Sequence, residues 1–279
     1  MAFAGNCVKN GGKKSDRGVR AKKNLGQHFL HDKEIARRIA ESVISESAVA
    51  AQKTPVLEIG SGTGILSCEL WQRQDLDVKM IELDSQSVKF LLENYPQQTS
   101  GGRLIEGDFL HIPLTAFFNE KFIITGNFPY NISSQILFKA FENKDIVMQI
   151  TGMFQKEVAE RITSKPCNKS YGILSVLLQA YYNAEYLFTV QPEAFIPPPK
   201  VQSGVIRLMR NSREALPFPD RHFVTIVKTA FNQRRKVLRN ALSTLIAAGV
   251  IKKLPDKFAL KRAEQLSVED FIEIACGNM

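Results

Sequence analysis

Short apolar runs alternate with segments of helical spacing from residue 54 onward, and this alternation restricts the fold more than any other feature of the sequence. The apolar runs predict strands at residues 55–60, 78–83, 103–107, 122–127, 146–151, 186–191 and 201–210. Three segments between these strands, at residues 65–73, 87–95 and 133–142, carry apolar residues three and four positions apart, which predicts helices. Such alternation is typical of parallel strands with helices on both faces. The sequence therefore predicts an α/β fold, with its last strand as a candidate antiparallel edge.

The pattern changes at the end of the last predicted strand. Residues 211–221 are mostly polar, contain two prolines and are interpreted as a linker. From His222 onward only helical spacing remains, and Lys228, Arg235 and Arg239 would share one side of a continuous helix. Glycines and lysines dominate the start of the chain, which is interpreted as mobile. The expected organisation is a flexible basic tail at 1–20, an α/β domain at 21–210 and a small helical domain at 211–279.

Composition narrows the class of protein. No apolar run among the 279 residues reaches the ~18 residues that a bilayer crossing needs, and the first residues lack the apolar stretch of a secretion signal. The four cysteines are widely separated and form no Cys-x-x-Cys pair, so neither a metal site nor a disulfide framework is expected. A cytoplasmic location fits this reading. The net charge of +9 suits a polyanionic partner, although it also fits a protein that is merely soluble.

A glycine-rich turn follows the first predicted strand. The segment VLEIGSGTG (56–64) places Gly60, Gly62 and Gly64 between a strand and a helix, where a ligand can approach the backbone closely. A dinucleotide site would have the spacing G-x-G-x-x-G, and the residue at position 65 is isoleucine. The loop also lacks the Gly-Lys-Ser/Thr ending of a P-loop. The sequence therefore predicts a nucleotide-type cofactor without a pyrophosphate.

Polar side chains stand at the ends of the next three strands. Glu82 is placed to accept hydrogen bonds from both hydroxyls of a ribose, and Asp108 to accept one from an exocyclic amine. Asn127 ends the fourth strand. Each acid alone is equally typical of a turn or a helix cap. In an open α/β sheet, however, the carboxyl ends of the strands form the ligand-binding edge, so Gly60, Glu82, Asp108 and Asn127 together predict a cofactor site.

Seven motifs in a fixed order extend this site to nearly the whole chain. They are KKNLGQHFL (22–30), LEIGSGTG (57–64), IELD (81–84), GDFL (107–110), NFPYNIS (127–133), FIPPPKVQSGVIRL (195–208) and FNQRRKVLRNAL (231–242). In these motifs the chain resembles the bacterial small-subunit ribosomal RNA adenine dimethyltransferases, the kasugamycin-sensitivity methylases. The resemblance implies a Rossmann-like methyltransferase domain with a small C-terminal helical domain. It also implies S-adenosylmethionine as methyl donor and dimethylation of two adjacent adenines in a hairpin near the 3′ end of 16S rRNA, within the small ribosomal subunit or its precursor.

The residues at the fourth strand end suit that chemistry. An adenine amino group is a weak nucleophile because its lone pair is delocalised into the ring. The side-chain carbonyl of Asn127 and the main-chain carbonyl of Pro129 can accept its two hydrogens and orient the lone pair. Tyr130 can stack on the extracted base, which is worth ~1–3 kcal/mol. The resemblance adds Phe195 to this pocket, so the expected catalytic residues are Asn127, Pro129, Tyr130 and Phe195.

The resemblance also assigns the other binding residues. It implies cofactor contacts for His28 and Leu30, in a segment expected to fold over the cofactor. The chain departs from the family at His28, where asparagine is common, and at Phe128, where leucine is usual and where a space-filling role is expected. The phosphate contacts of the helical domain are expected at Arg234, Arg235, Lys236 and Arg239, since arginine binds phosphate through a planar fork.

Two other functions compete with this reading. A 23S rRNA adenine methyltransferase of the macrolide-resistance type would share the fold, the donor and the Asn–Pro–Tyr chemistry, but FNQRRKVLRNAL and the PPPKV segment favour the small-subunit enzyme. A non-catalytic RNA-binding assembly factor would keep the fold without the reaction, and the intact Glu82, Asn127, Pro129 and Tyr130 argue against it. The protein is expected to act as a monomer without a membrane partner.

Overall fold

A computed structural model of the protein describes residues 18–45 and 53–277. Most of the tail expected at residues 1–20, including Cys7 and the basic residues Lys13, Lys14 and Arg17, lies outside the described residues. Within the described ranges, no helix combines the length and apolar character needed to cross a membrane.

The strands and helices follow in chain order. The strands are β1 (Phe29–Leu30), β2 (Thr54–Ile59), β3 (Leu76–Glu82), β4 (Leu104–Glu106), β5 (Phe122–Asn127), β6 (Val147–Gln155), β7 (Tyr182–Val190), β8 (Phe195–Ile196) and β9 (Ser203–Arg210). The helices are α1 (Lys33–Ser42), α2 (Ile65–Gln72), α3 (Ser85–Asn94), α4 (Pro96–Thr99), α5 (Ser133–Glu142), α6 (Lys156–Thr163), α7 (Ile173–Gln179), α8 (Asp220–Asn232), α9 (Leu238–Ala241), α10 (Ser243–Ala247), α11 (Asp256–Ala259) and α12 (Val268–Cys276).

Contacts between residues divide the chain into two compact units. Among the described residues, the first comprises those up to Ser133 together with Pro192–Lys200, and the second comprises Ser134–Gln191 together with those from Val201 onward.

The first unit contains four parallel strands in the order β4-β3-β2-β5. Every residue of β2 is buried, including the polar Thr54 and Glu58, as befits an inner parallel strand. The chain moves outward from β2 through β3 to β4 and then returns to the other side of β2 for β5. Such a reversal leaves a crevice beyond the carboxyl ends of β2 and β5, where open α/β sheets bind ligands.

A second, two-stranded sheet holds the segment that precedes this fold. Strand β1 pairs with β8 in antiparallel register, Phe29 with Ile196 and Leu30 with Phe195. Helix α1 begins directly afterwards because the Asp32 carboxylate accepts the main-chain N–H groups of Glu34 and Ile35, at 2.9 and 3.1 Å. The segment is therefore fixed at both ends before the chain enters β2.

The second unit has an antiparallel sheet in which β9 lies between β6 and β7. The prediction that β9 is antiparallel is confirmed, but the candidate edge position is wrong. All eight β9 residues are buried or half-buried, and seven of them have register partners on both β6 and β7. Strand β7 takes the edge. Helices α6 and α7, which the sequence analysis did not assign, separate β6 from β7.

The helical spacing predicted from His222 onward is confirmed on α8, where Phe223, Ile226, Val227, Ala230 and Phe231 are all buried. The condition under which Lys228, Arg235 and Arg239 would share one side, a continuous helix, is not met. Helix α8 ends at Asn232, a turn follows, and short helices begin at Leu238 and Ser243. The basic residues at 234–236 consequently lie in a turn rather than along one helix face.

The predicted linker at 211–221 is irregular but packed. Leu216 and Phe218 are buried, and the Arg213 guanidinium donates to the main-chain carbonyl of Ala180 at 2.9 Å. Within the second unit the Phe231 ring lies 6.0 Å from that of Tyr171, just before α7. The helices after residue 210 thus share a core with earlier parts of the chain, and the domain boundary at 210 stays a prediction.

Candidate active site

A cleft of about 870 Å³, counting the space open to solvent, lies at the carboxyl edge of the four parallel strands. The ends of all four strands line it, and so do the segment at 25–29 and the turn at 128–132. The expectation that Gly60, Glu82, Asp108 and Asn127 meet at one edge is therefore confirmed. The volume is typical of a cleft for a small molecule or cofactor.

Glu82 organises the glycine loop as well as facing the cleft. Its side chain is almost fully buried, and its two oxygens accept the main-chain N–H groups of Gly62 at 2.8 Å and Asp84 at 2.9 Å. Burial raises the pKa of this carboxyl, while the two backbone bonds favour the charged form. A carboxylate can accept about four hydrogen bonds, so Glu82 retains acceptor capacity for the hydroxyls of a ribose.

Gly62 allows the loop to pass very close to β1. Its φ angle is +54°, and a Cβ atom at this position would lie 2.9 Å from the Phe29 ring. Only glycine combines this left-handed conformation with so close an approach at no steric cost. The glycine loop and the segment carrying His28 are therefore packed directly against each other.

The Asn127 amide has a defined orientation. Its Nδ2 donates to the main-chain carbonyl of His28 at 2.9 Å. A carbonyl oxygen can only accept, so the NH₂ end must face His28 and the Oδ1 end must face away from it. Among the described residues no hydrogen bond to that oxygen is found, so Oδ1 remains able to accept the adenine amine, as the sequence analysis expects.

Pro129 and Tyr130 form the start of the turn that leads to α5. The Pro129 carbonyl already accepts the Ile132 N–H at 3.2 Å, but a carbonyl oxygen has a second lone pair. The Tyr130 ring is half-buried, with its centroid 5.6 Å from that of His28. Phe128, which directly precedes Pro129, is buried, as its expected space-filling role requires.

The other expected cofactor contacts, Asp108, His28 and Leu30, do not all line the same cavity. Asp108 lines the cleft, but its oxygens also accept the Leu110 N–H and contact the His111 ring, each at 2.9 Å. His28 lines the cleft too, and its Nδ1 lies 2.7 Å from the Pro197 carbonyl, so this nitrogen carries the proton. Leu30 is buried beside the glycine loop and lines a smaller adjoining cavity.

Phe195 is 2% exposed and pairs through its backbone with Leu30. The residues that line the main cleft do not include it. Its assignment to the base pocket stays a prediction.

Two residues at the site were not identified from the sequence. Glu58 is buried in β2 and accepts a hydrogen bond from the Ser67 hydroxyl at 2.6 Å, and burial raises its pKa to about 7. An acid inside the apolar run VLEIG was the signal that could have revealed it. Leu83 lines the cleft and is 48% exposed, although leucine directly after a buried strand would normally be covered.

An ion pair ties the N-terminal segment to the loop after β3. Lys22 Nζ lies 2.5 Å from Asp84 Oδ1, and the Asp84 side chain is fully buried. Burial alone would raise the pKa of Asp84, but the bonds from Lys22 and Ser87 outweigh it and hold that pKa below its usual range. The segment that supplies His28 is thus anchored to the loop that directly follows Glu82.

The four basic residues assigned to RNA have different surroundings. Arg235, Lys236 and Arg239 are exposed. Arg234 is half-buried, pairs with Glu264 and donates to the main-chain carbonyl of Lys169 at 2.7 Å. Its guanidinium is therefore engaged within the protein, unlike those of its neighbours.

The residues at the cleft fit S-adenosylmethionine. Ser61 Oγ is buried without a hydrogen-bond partner among the described residues, and it lines the small cavity next to Glu58. Polar groups of this kind suit the amino-acid end of such a cofactor. Glu82 and Asp108 offer acceptors for the ribose and the adenine amine, and Leu83 offers an apolar surface for the adenine ring.

Comparisons with known proteins agree with this site. Residues 18–276 match the family described as Ribosomal RNA adenine dimethylase. A Porphyromonas gingivalis protein named Ribosomal RNA small subunit methyltransferase A is 50% identical over 258 residues, which cover 92% of this chain and 96% of the relative. A Cytophaga hutchinsonii protein of the same name is 47% identical over 256 residues, which cover 92% of this chain and 96% of that relative.

Solved structures show the same fold. A dimethyladenosine transferase from Plasmodium falciparum superposes with a TM-score of 0.70 at 23% identity, covering 88% of this chain and 96% of that one. The 23S rRNA methyltransferase ErmE superposes with a TM-score of 0.63 at 26% identity, covering 89% of this chain and 99% of ErmE. The fold is therefore shared with both kinds of enzyme, whereas the curated relatives at about half identity carry the small-subunit name. This chain belongs to the ribosomal RNA adenine dimethylase family and is a Rossmann-like, S-adenosylmethionine-dependent methyltransferase.

Proposed function

We propose that the protein dimethylates the N6 amino groups of two adjacent adenines in a hairpin near the 3′ end of 16S rRNA, as a step in ribosome biogenesis. The observation that carries this proposal is the fixed orientation of Asn127, whose amide nitrogen is bound to His28 while its oxygen remains available at the cleft. The names of the relatives support the small subunit as the source of the substrate.

The residues of the site would act by positioning. S-adenosylmethionine supplies an electrophilic methyl group on a sulfonium centre. Asn127 Oδ1 and the Pro129 carbonyl accept the two N–H groups of the adenine amine, which turns its lone pair out of conjugation with the ring. Tyr130 holds the extracted base by stacking, which offsets the few kcal/mol that extraction costs. Orientation and preorganised acceptors then lower the barrier without a covalent intermediate. As the carbon–nitrogen bond forms, the carbon–sulfur bond would break to leave S-adenosylhomocysteine, and the nitrogen would release one proton to water.

Binding of the RNA itself is assigned to backbone contacts. Arg235, Lys236 and Arg239 are exposed cations of the second unit and are proposed to contact phosphates. Recognition of this kind follows the shape of an RNA helix more than its sequence. We place the reaction in the cytoplasm and expect the protein to act as a monomer.

The experiment is a transfer assay with purified ribosomal subunits whose rRNA lacks the modification. The protein is incubated with each subunit and labelled S-adenosylmethionine, and the rRNA is digested and analysed by mass spectrometry. We expect dimethyladenosine at two adjacent positions of the small-subunit rRNA. Modification of large-subunit rRNA alone would contradict the proposal. Binding without any methyl transfer would instead identify an assembly factor, which the comparisons do not favour.

A further inference from the structure

The loop between α6 and α7 lies against the turn between α8 and α9. Arg234 in the turn donates from one guanidinium nitrogen to the carbonyls of Lys169 at 2.7 Å and Asn168 at 3.4 Å. Glu264 pairs with the same guanidinium and, through its own carbonyl, accepts the Cys167 N–H at 2.7 Å. These bonds join two segments that are about 65 residues apart in sequence.

Both segments are basic and contain no acid. The loop SKPCNKS (164–170) carries Lys165 and Lys169, and the turn carries Arg235 and Lys236. All four side chains are exposed. In the part of the chain that the structure describes, none of these four cations has an acid within ion-pair distance, and the neighbouring acid Glu264 pairs with Arg234.

Bringing like charges together has an electrostatic cost unless an anion is bound there. Here the protein joins two basic segments through a half-buried ion pair and leaves their other charges unneutralised. Local hydrogen bonds also keep the loop in one conformation, since the Asn168 side chain accepts the Ser170 N–H at 2.9 Å and the Asn168 carbonyl accepts the Tyr171 N–H at 3.1 Å. An ordered, unneutralised set of cations is suited to a polyanion whose charges lie at fixed positions.

We propose that the loop 164–170 is a second phosphate-binding element, which forms one surface for the rRNA backbone together with Arg235 and Lys236. Arg234 is the positioning residue of this surface and does not itself contact phosphate, because its guanidinium holds the loop against the turn. This inference rests on the proposed function, since the polyanion is taken to be the rRNA substrate.

The first test removes the two loop cations. Affinity of the Lys165→Ala/Lys169→Ala variant for unmodified small ribosomal subunits is measured as a function of salt concentration. Two lost phosphate contacts should reduce the slope of log K against log salt by about 1.4–1.8 and weaken binding roughly tenfold at physiological salt. The control is Lys53→Ala/Lys121→Ala, which removes the same charge from exposed lysines that precede β2 and β5, at the amino end of the strands. Equal effects of the two double variants would overturn the proposal.

The second test distinguishes the positioning role from general electrostatics. Glu264→Ala raises the net charge by one, so electrostatics alone predicts tighter binding to RNA. Loss of the clamp predicts about three- to tenfold weaker binding and faster hydrogen exchange of the amides at 165–170. Glu273→Ala is the control, because it removes an acid that pairs with Lys257 and leaves the loop untouched. Tighter binding by Glu264→Ala would refute the positioning role.

Failure of this inference is separable from failure of the proposed function. If wild-type protein methylates small-subunit rRNA and the loop variants bind like their control, only the second phosphate-binding element is lost. If the wild-type protein does not methylate that rRNA, the proposed substrate is wrong, and the loop can no longer be assigned to it.

Discussion

The side-chain amide of Asn127 donates to the main-chain carbonyl of His28 across 2.9 Å. This bond links the end of β5 to the segment that precedes β1, 99 residues earlier in the chain. One end of the amide therefore fixes its position, and the other end is the acceptor that we propose for the substrate amine. Since the acceptor is a main-chain atom, the bond does not depend on which side chain stands at position 28.

Replacing Asn127 by alanine should remove the acceptor for the adenine amine. We expect kcat to fall by roughly 10²–10³, the usual cost of losing one preorganised polar group that acts on the reacting atoms. Affinity for RNA should change little. Single-turnover methyl transfer and RNA binding measured on the same preparation would check this. Asn143→Ala is a matched control, since it removes an amide that only bonds a helix carbonyl, and equal losses in both variants would contradict the assignment.

The Glu82→Gln substitution should weaken cofactor binding. The glutamine NH₂ group would face one of the two main-chain N–H groups that the carboxylate now accepts, and a ribose would lose a charged acceptor. Hydrogen bonds to charged groups contribute about 1.5–3 kcal/mol, so the Kd for S-adenosylhomocysteine should rise about ten- to a hundredfold. Isothermal titration calorimetry of both proteins with S-adenosylhomocysteine would measure this Kd. Glu106→Gln serves as control because Glu106 is the exposed register partner of Glu82 on β4, and a matching rise there would count against a direct role.

The Gly62→Ala substitution should reduce stability and cofactor binding by more than the backbone conformation at position 62 alone explains. The new Cβ would lie 2.9 Å from the Phe29 ring, whereas a Cβ at Gly101, which has a similar positive φ, would meet no atom within 4 Å. Both substitutions incur the left-handed strain of ~1–2 kcal/mol. Only Gly62→Ala should also displace β1 and weaken cofactor binding. Urea denaturation and cofactor titration of both variants would separate the two effects, and indistinguishable variants would disprove the steric argument.

Glu58 should make stability depend on pH. Its pKa is about 7 in the folded protein against an ordinary value of 4.5, so between these values the folded state keeps a proton that the unfolded state releases. Stability from this group is therefore fully present below pH 4.5 and is lost as the pH rises to about 7, by an amount on the order of 3 kcal/mol. Glu58→Gln should remove this dependence when unfolding free energies are compared at pH 4.5 and 8.

Ser67 offers an internal check on that titration. Its hydroxyl bonds the Glu58 carboxylate and lowers the pKa. Ser67→Ala should therefore shift the pH window of the stability change upward. An unchanged window in this variant would mean that the titrating group is not Glu58.

Much of the first unit could be predicted from sequence because its strands are short, buried and separated by helical spacing. The ends of β2 to β5 follow directly from those runs, and with them Gly60, Glu82, Asp108 and Asn127 fall at one edge. Family motifs added the chemistry at Asn127 and Pro129. The apolar pattern and the family motifs both depend on residues that are near one another in sequence or that follow in a regular order.

The relationships that were missed join distant residues without any periodic signal. Nothing in the sequence pairs Lys22 with Asp84 or Arg234 with Glu264, yet these ion pairs decide which basic groups are engaged within the protein. The interior position of β9 depends on strand order, which the apolar pattern does not encode. The break after Asn232 was missed because apolar spacing continues across the turn.

The contact between the Phe29 ring and the backbone at position 62 makes these two sites interdependent during evolution. A methyl group at 62 becomes sterically acceptable only if a smaller side chain first replaces the ring at 29, and a smaller side chain at 29 leaves a gap while 62 remains glycine. Each single step is harmful, so drift at one site should be followed by a compensating exchange at the other. Laboratory selection for restored methylation, begun from the alanine variant at 62, should recover second-site changes at 29.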